Sequence, residues 1–430
     1  MKSYLLIIFF FFILFEVPLG FNVNLAPGLS PKNLMLYILL VWIALEHSAS
    51  RSGIRLSPAS LNLCFLALII ATMFSWAISV VGYKSIDYPL VRGFVELKSS
   101  SVDHYVIMLV FAFSLAEKED VLKVAKWVSG IVVFSSIFTV VELTDILPLG
   151  LIDEGIDGRV KGPIGQPNQY GGFLAFWFPV CAAAYFASRG MTRNYFAVGT
   201  LLALGLLILS GSRGALLGSV AGAVLAVVYL RRVLPGQVVI KGTFATVLIG
   251  AVVVAVIMLQ FSEVIEARIE RTTSGGTKQV TAGRGEIWGK AIHEMIDNPA
   301  SFLYGNGWMT FRLLLDKGAH NMYLEKLFEL GVIGLSIWLA LLASLLSLLR
   351  SALRVAARDS APYLYGAVFG VFAIIVSTFF SELYRPWMLI WSYLGVAVKL
   401  ALIELEGRAT QASAIVASRG SLAGSERVSG

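Results

Sequence analysis

Five polar runs interrupt an otherwise apolar chain, and each carries side chains able to act on a charged or hydroxylated ligand. They are Gly158-Arg159-Val160-Lys161-Gly162-Pro163-Ile164-Gly165-Gln166-Pro167-Asn168, Ser210-Gly211-Ser212-Arg213-Gly214, Gly283-Arg284 followed by Trp288, Ala319-His320-Asn321-Met322-Tyr323, and Glu382-Leu383-Tyr384-Arg385-Pro386. An arginine presents a planar fork that can bond two oxygens of a diphosphate at once. Gly211 and Gly214 allow close approach of backbone to a ligand around Arg213, and Ser212 is placed to cap the helix that follows. A histidine with an ordinary pKa can take a proton from a hydroxyl near neutral pH, and His320 is the one so placed. Each also has a plainer reading. Arg213 can snorkel to a membrane interface, Arg284 can make a structural ion pair, and His320 can cap a helix. His47, His104 and His293 read as structural.

Composition fixes the setting of these residues. The 430 residues are 57% hydrophobic and 14% charged, with a mean hydropathy of +0.79, where a soluble domain has roughly 25% charged residues. So few charges cannot cover so much apolar surface, which excludes a soluble enzyme and a disordered chain. The two cysteines, Cys64 and Cys181, lie within apolar runs and form no disulfide framework. The net charge of +7 comes from residues scattered between apolar runs, so it indicates membrane topology and no nucleic-acid partner.

A hydrocarbon core of about 30 Å needs roughly 20 helical residues. That ruler predicts an all-α, polytopic membrane bundle of about 12 helices, at 3–19, 31–46, 58–80, 102–116, 122–143, 168–188, 195–210, 213–230, 238–260, 320–349, 361–381 and 386–405. The organisation is therefore nine spans in 1–260, a helical periplasmic segment at 261–319, three spans in 320–405 and a disordered cytoplasmic tail at 406–430. With the N-terminus inside, 18 of the 34 Lys and Arg residues face the cytoplasm, and about half of the rest lie in the one long segment, which counts weakly in the positive-inside rule. Both termini are then cytoplasmic. Every even-numbered span begins at the periplasmic face, where its free N–H groups favour an anion. Within the long segment, 283–298 reads as an amphipathic helix stopped by Pro299. At about 100° per residue, Arg284, Trp288, Ala291 and Met295 share one face, turned to the bundle, while His293 faces water. Ile287 and Ile292 join the apolar side.

These motifs together resemble a known family. His320-Asn321-x-Tyr323-Leu324-x-x-Leu327-x-Glu329-x-Gly331-x-x-Gly334, preceded by Ser212-Arg213-Gly214 and Gly283-Arg284-x-x-x-Trp288, is similar to the O-antigen ligase and polymerase superfamily of bacterial inner membranes. Gly165-x-Pro167-Asn168 fits the same pattern, and the resemblance covers roughly 150–340. It implies a glycosyltransferase of the Gram-negative inner membrane that works without metal or cofactor. Such an enzyme moves an O-antigen glycan from undecaprenyl diphosphate to the lipid A–core oligosaccharide at the periplasmic face, in lipopolysaccharide biosynthesis. On that reading His320 is the catalytic base, and Arg213, Arg284, Arg159 and Lys161 hold the diphosphate. Asn168, Asn321, Tyr323 and Arg385 support them. Glu325 and Glu329 share a face with Asn321 and are expected to pair with Lys326 or another span. Asp153, Glu154 and Asp157 read as a solvated loop and not as a metal site.

Two rival readings are open at this stage. An O-antigen polymerase of the same superfamily would use similar residues on a growing glycan. A transporter or lipid flippase would also suit twelve spans with both ends inside, but such proteins show internal repeats and midplane charges. Here the conspicuous charges stand at span ends.

Overall fold

The structure, a computed structural model, describes residues 1–21, 23–49, 58–82, 88–144, 146, 150, 159–233 and 284–426. Its elements in chain order are α1 (Lys2–Phe15), α2 (Pro31–Ala49), α3 (Ala59–Gly82), α4 (Leu90–Leu97), α5 (Asp103–Phe113), α6 (Lys118–Leu143), α7 (Pro167–Ala187), α8 (Gly190–Leu209) and α9 (Arg213–Leu230). After the ninth come α10 (Arg284–Asp297), α11 (Pro299–Tyr304), α12 (Thr310–Leu315), α13 (Met322–Leu353), α14 (Ala361–Ser377) and α15 (Pro386–Glu426). No strand occurs among the described residues. Seven helices are long and apolar enough to cross a membrane, namely α3, α6, α7, α8, α9, α13 and the first part of α15, while α1 and α14 are shorter and equally apolar. The molecule is an all-α, multi-pass membrane bundle. Eleven of the twelve expected spans coincide with a helix, and the expected span at 238–260 and the part of the long segment up to 283 lie outside the described residues.

Two boundaries differ from expectation for physical reasons. The fourth span starts at Leu90, not 102, because the polar stretch between them satisfies itself inside the helix. α4 runs into α5 through one π-helical turn, Lys98–Val102, where Lys98 Nζ pairs with the Asp103 carboxylate at 2.9 Å. There Ser99 and Ser100 donate back to the Glu96 carbonyl at 3.1 and 2.6 Å. The tail expected to be disordered from 406 continues α15 to Glu426. It has no proline, and its five alanines and three arginines keep helix propensity beyond the apolar run despite the interspersed serines and glycines.

α15 occupies the centre. Gly395 lets it meet α5, since a Cβ there would lie 2.6 Å from the Met108 carbonyl oxygen. Trp391 stacks on Trp387 and meets Phe65 edge-on, and Tyr393 meets Phe176 and Trp177 edge-on. α9 closes on α14 through small residues at four-residue spacing, Gly214, Gly218 and Gly222, the pattern that brings membrane helices into backbone contact. A Cβ at Gly222 would lie 2.5 Å from the Ala373 backbone, and one at Gly214 would lie 2.4 Å from Phe380 Cβ. This contact fixes the start of α9, and Arg213 with it, against the far end of α14.

The remaining positioning device is a break in α13. Gly331 has φ 67° and ψ −173° within an otherwise helical run, a conformation open to glycine. The carbonyls released by the break find donors. Phe328 O accepts from Asn306 N at 2.7 Å, and Glu329 O accepts from Gly307 N at 3.2 Å and from Ser75 Oγ at 2.6 Å. The first turns of α13 are thereby held by the 305–307 segment and by α3. Replacing Gly222 by Val should force the α9–α14 contact apart, at about 1–3 kcal/mol or more. A lowered unfolding temperature in detergent, followed by size-exclusion chromatography, is the expected result, whereas Gly205→Ala, which meets open space, should leave it unchanged.

Candidate functional site

The loop between α8 and α9 is tight because Gly211 takes φ +60°. Ser212 then caps α9, accepting from Ala215 N at 3.4 Å. Arg159 lies against Gly211, so close that a Cβ there would be 2.9 Å from Arg159 Nε. Its Nε donates to the Ser210 carbonyl at 2.9 Å and its Nη2 to Asn168 Oδ1 at 2.6 Å. Arg159 thus braces the α8–α9 turn to the start of α7. Lys161, half-buried, caps the short 3-10 turn Gly162–Ile164. Arg385 Nη1 donates to the Ile164 carbonyl at 2.9 Å, and Gln169 Oε1 accepts from the backbone N of Arg385 at 3.0 Å. Arg213 contrasts with these. It is the first residue of α9, is exposed, and has no hydrogen bond or ion pair among the described residues.

α10 lies on this end of the bundle with the expected face inward. Ile287, Ala291 and Met295 are buried, Trp288 Nε1 donates to the Ala319 carbonyl at 2.7 Å, and Arg284 Nη1 donates to the Phe380 carbonyl at 3.0 Å. Ile292, expected inward, is exposed, because its place on the helix is rotated away from the Ala291–Met295 contact line. His293 faces water beside Asp297, as expected. Arg284 sits below its ordinary pKa, first because it is partly buried and next because Arg213 stands nearby, against the opposing pull of Glu382. Two guanidiniums within electrostatic reach of one another, with the Glu382 carboxylate already engaged, have the charge to attract an anion.

His320 precedes α13 and takes the left-handed conformation, φ 50°. Asn321 caps the helix, its Oδ1 accepting from Tyr323 N at 3.0 Å and Leu324 N at 3.1 Å, as an N-cap asparagine does. Tyr323 Oη donates to the Ile375 carbonyl at 2.7 Å, fastening the turn to α14. The His320 side chain is exposed, while its backbone N donates to Glu382 Oε1 at 2.6 Å. Glu382 is otherwise buried. Its Oε2 pairs with Arg312 Nη2 at 3.1 Å and accepts from Tyr384 Oη, and Arg312 also donates to Tyr384 Oη at 2.7 Å. Tyr384 is held protonated by burial and by the Glu325 and Glu382 carboxylates. His320 is held below its ordinary 6.5, chiefly by partial burial, with Glu382 raising it and Arg284 and Arg312 lowering it. This direction favours the neutral imidazole.

Arg159, Asn168, Arg213, Arg284, His320, Asn321, Tyr323 and Arg385 lie at one end of the bundle. The expected pairing of Glu325 and Glu329 with another segment takes a specific form. Glu329 Oε1 accepts from Phe311 N at 3.3 Å, and Glu325 Oε1 accepts from Tyr384 Oη at 3.5 Å. Lys326 Nζ lies over the Trp308 ring, 4.9 Å from its centroid. Three residues that shape the site had no role assigned from sequence. Glu382 and Tyr384 stood in the polar run before Pro386, and Arg312 gave no local signal at all. Asp153, Glu154 and Asp157 lie outside the described residues.

The all-α membrane bundle thus carries at one end two arginines within electrostatic reach of each other and a histidine within reach of one of them. Residues 198–339 match the family described as O-antigen ligase, and this stretch contains Arg213, Arg284, His320, Asn321 and Tyr323. The chain is also 26% identical over 307 residues to an O-antigen ligase of Pseudomonas aeruginosa, across 67% of each chain. Both comparisons thus find similarity to the O-antigen ligase superfamily.

The electrostatics give a direct test. Titration of His320, followed by NMR of histidine-labelled protein and assigned with His320→Gln, should show a midpoint below 6.5. Removing a neighbouring cation with Arg284→Ala should move that midpoint upward. An unmoved midpoint would separate the two side chains.

Proposed function

We propose that the protein is an O-antigen ligase acting at the periplasmic face of the Gram-negative inner membrane. It transfers a glycan from undecaprenyl diphosphate to the lipid A–core oligosaccharide, without a metal ion. The observation that carries this reading is the convergence of Arg213, Arg284 and His320 from three separate segments, with Arg284 within electrostatic reach of both Arg213 and Glu382 and His320 within reach of Arg284. The acceptor hydroxyl oxygen attacks the anomeric carbon of the donor while its proton passes to a ring nitrogen of His320. The bond from that carbon to the diphosphate breaks, and the charge that develops on the leaving diphosphate is taken up by Arg213 and Arg284. Arg159 and Arg385 serve as braces in this scheme, with Lys161 close to the diphosphate.

Glu382 is a positioning residue. By holding the His320 backbone N–H it fixes the left-handed turn that turns the imidazole outward. The sequence order also supports a lipid-linked donor, since the arginines stand at helix starts on the side where the positive-inside rule predicts few cations.

The assay is transfer by purified protein from lipid-linked donor to core acceptor. His320→Ala should lower the rate by roughly 10²–10⁴, the usual worth of acid–base catalysis. His320→Gln should not restore it, because an amide cannot take the proton. Arg213→Lys should recover little of what Arg213→Ala loses, since a point charge lacks the bidentate fork. Loss of wild-type activity in EDTA with recovery on adding a divalent ion would defeat the metal-free mechanism. In cells lacking the gene, lipid-linked long chains beside a bare core mark a ligase, whereas a core bearing one repeat unit marks a polymerase. Sidedness is checked at Lys317, which is exposed. A cysteine there should react with an impermeant maleimide once the outer membrane is permeabilised, and labelling only after inner-membrane rupture would reverse the topology.

A further inference from the structure

A cavity of about 350 Å³ adjoins the site. Glu382, Arg312 and Tyr384 form part of its wall, while Arg213, Arg284 and His320 do not line it. Its lining also includes Arg92 and Glu96 of α4 and Asn33 of α2. These two charged residues are four apart on one helix and make no ion pair with each other or with any other described residue. Two buried polar atoms of the wall also lack partners, Trp387 Nε1 and Asn33 Oδ1, in residues 3% and 6% exposed. Buried donors and acceptors normally find partners, so unpaired ones mark where a ligand or water would bond.

The chemistry of the wall selects among ligands. Its carboxylates and its basic side chains are nearly equal in number, six against five, so it gives no net field to gather a phosphate or a polycation. The indoles of Trp308, Trp338 and Trp387 supply flat apolar faces. Flat faces with interspersed donors and acceptors of both kinds suit an uncharged ring carrying many hydroxyls.

We infer that this cavity, walled by Arg92, Glu96, Asn33 and Trp387 and bounded by Glu382, is the subsite for the terminal sugar of the acceptor saccharide. The inference rests on the transferase reading above. In a displacement at the anomeric carbon the incoming hydroxyl arrives opposite the leaving diphosphate. Arg213 and Arg284 hold the leaving side, and the cavity meets the site through Glu382, the residue that also anchors His320. A sugar seated in it would present a hydroxyl to His320 from the side away from the arginines.

The test uses the full-length purified protein and the soluble core oligosaccharide, with binding followed by tryptophan fluorescence in the absence of donor. Arg92→Ala and Glu96→Gln should each weaken this binding by roughly tenfold or more, about the worth of one hydrogen bond to a charged group. In the transfer assay they should raise KM for the acceptor while leaving kcat and KM for the lipid-linked donor unchanged. Unaltered oligosaccharide binding in both variants overturns the subsite, as does a rise in donor KM alone. Equal competition by inorganic phosphate also overturns it, since the site would then be an anion site. Because binding is read without turnover, a wild-type protein that binds the oligosaccharide but transfers nothing counts against the transferase and not against the subsite.

Discussion

A carboxylate taken out of water must be given hydrogen bonds, or it destabilises whatever surrounds it. Glu382 is such a group, with its side chain 4% exposed. It is satisfied by three donors, the His320 backbone N–H and the Arg312 guanidinium from distant parts of the chain and the Tyr384 hydroxyl two residues on. None of these three segments can move without leaving the carboxylate short of a partner. The α14–α15 link, α12 and the start of α13 are therefore fixed relative to one another by one residue, and the imidazole of His320 inherits that precision. A hydrogen bond made through the His320 backbone leaves both ring nitrogens available for chemistry, which a bond to the ring itself would not.

The break at Gly331 serves the same end from the other side. An unbroken α13 would carry its first turns straight on, away from the segment formed by α11 and α12. With the break, Asn306, Gly307 and Ser75 take over carbonyls that the helix has released, and Phe311 packs edge-on against Phe328. The small apolar cluster of Ile287, Ala291, Met295, Phe311, Ala319 and Phe328 then forms a second core outside the main one. α10 rests on it. Arg284 is thus placed by a hydrophobic contact a few residues away, and its hydrogen bond to Phe380 O refines the position.

Much of this was legible in the sequence because it depended on local pattern. Apolar run length gave the spans, and helical spacing gave the inward face of α10, on which Arg284, Trp288, Ala291 and Met295 all lie. Ser212 was recognisable as a cap because its type and place are those a helix start demands, whereas α13 is capped by Asn321 and not by His320, where the sequence suggested a cap. What could not be read was pairing across the chain. Arg312 sits in a segment with no periodicity, and its partner Glu382 is 70 residues away. The fourth span was misjudged for a related reason. Lys98 and Asp103, five residues apart across the π turn, pair with each other and let the helix run on from Leu90.

The arginines of the site divide by what already holds them. Arg159 and Arg385 each donate to a backbone carbonyl of a neighbouring turn, and Arg159 also donates to Asn168. Diverting either to a ligand would give up bonds that set the loop geometry. Arg284 spends one nitrogen on Phe380 O and keeps the rest of its fork. Arg213 spends none, and Arg284 already feels its charge. Two like charges brought near one another repel, an effect that Glu382 offsets only in part at Arg284, while the α9–α14 glycine contact and the α10 core fix the two backbones independently. A dianion arriving between them removes that repulsion as it binds. Occupancy of the site therefore relieves electrostatic strain that packing elsewhere maintains, and the strongest attraction falls on a ligand whose charge grows as the reaction proceeds.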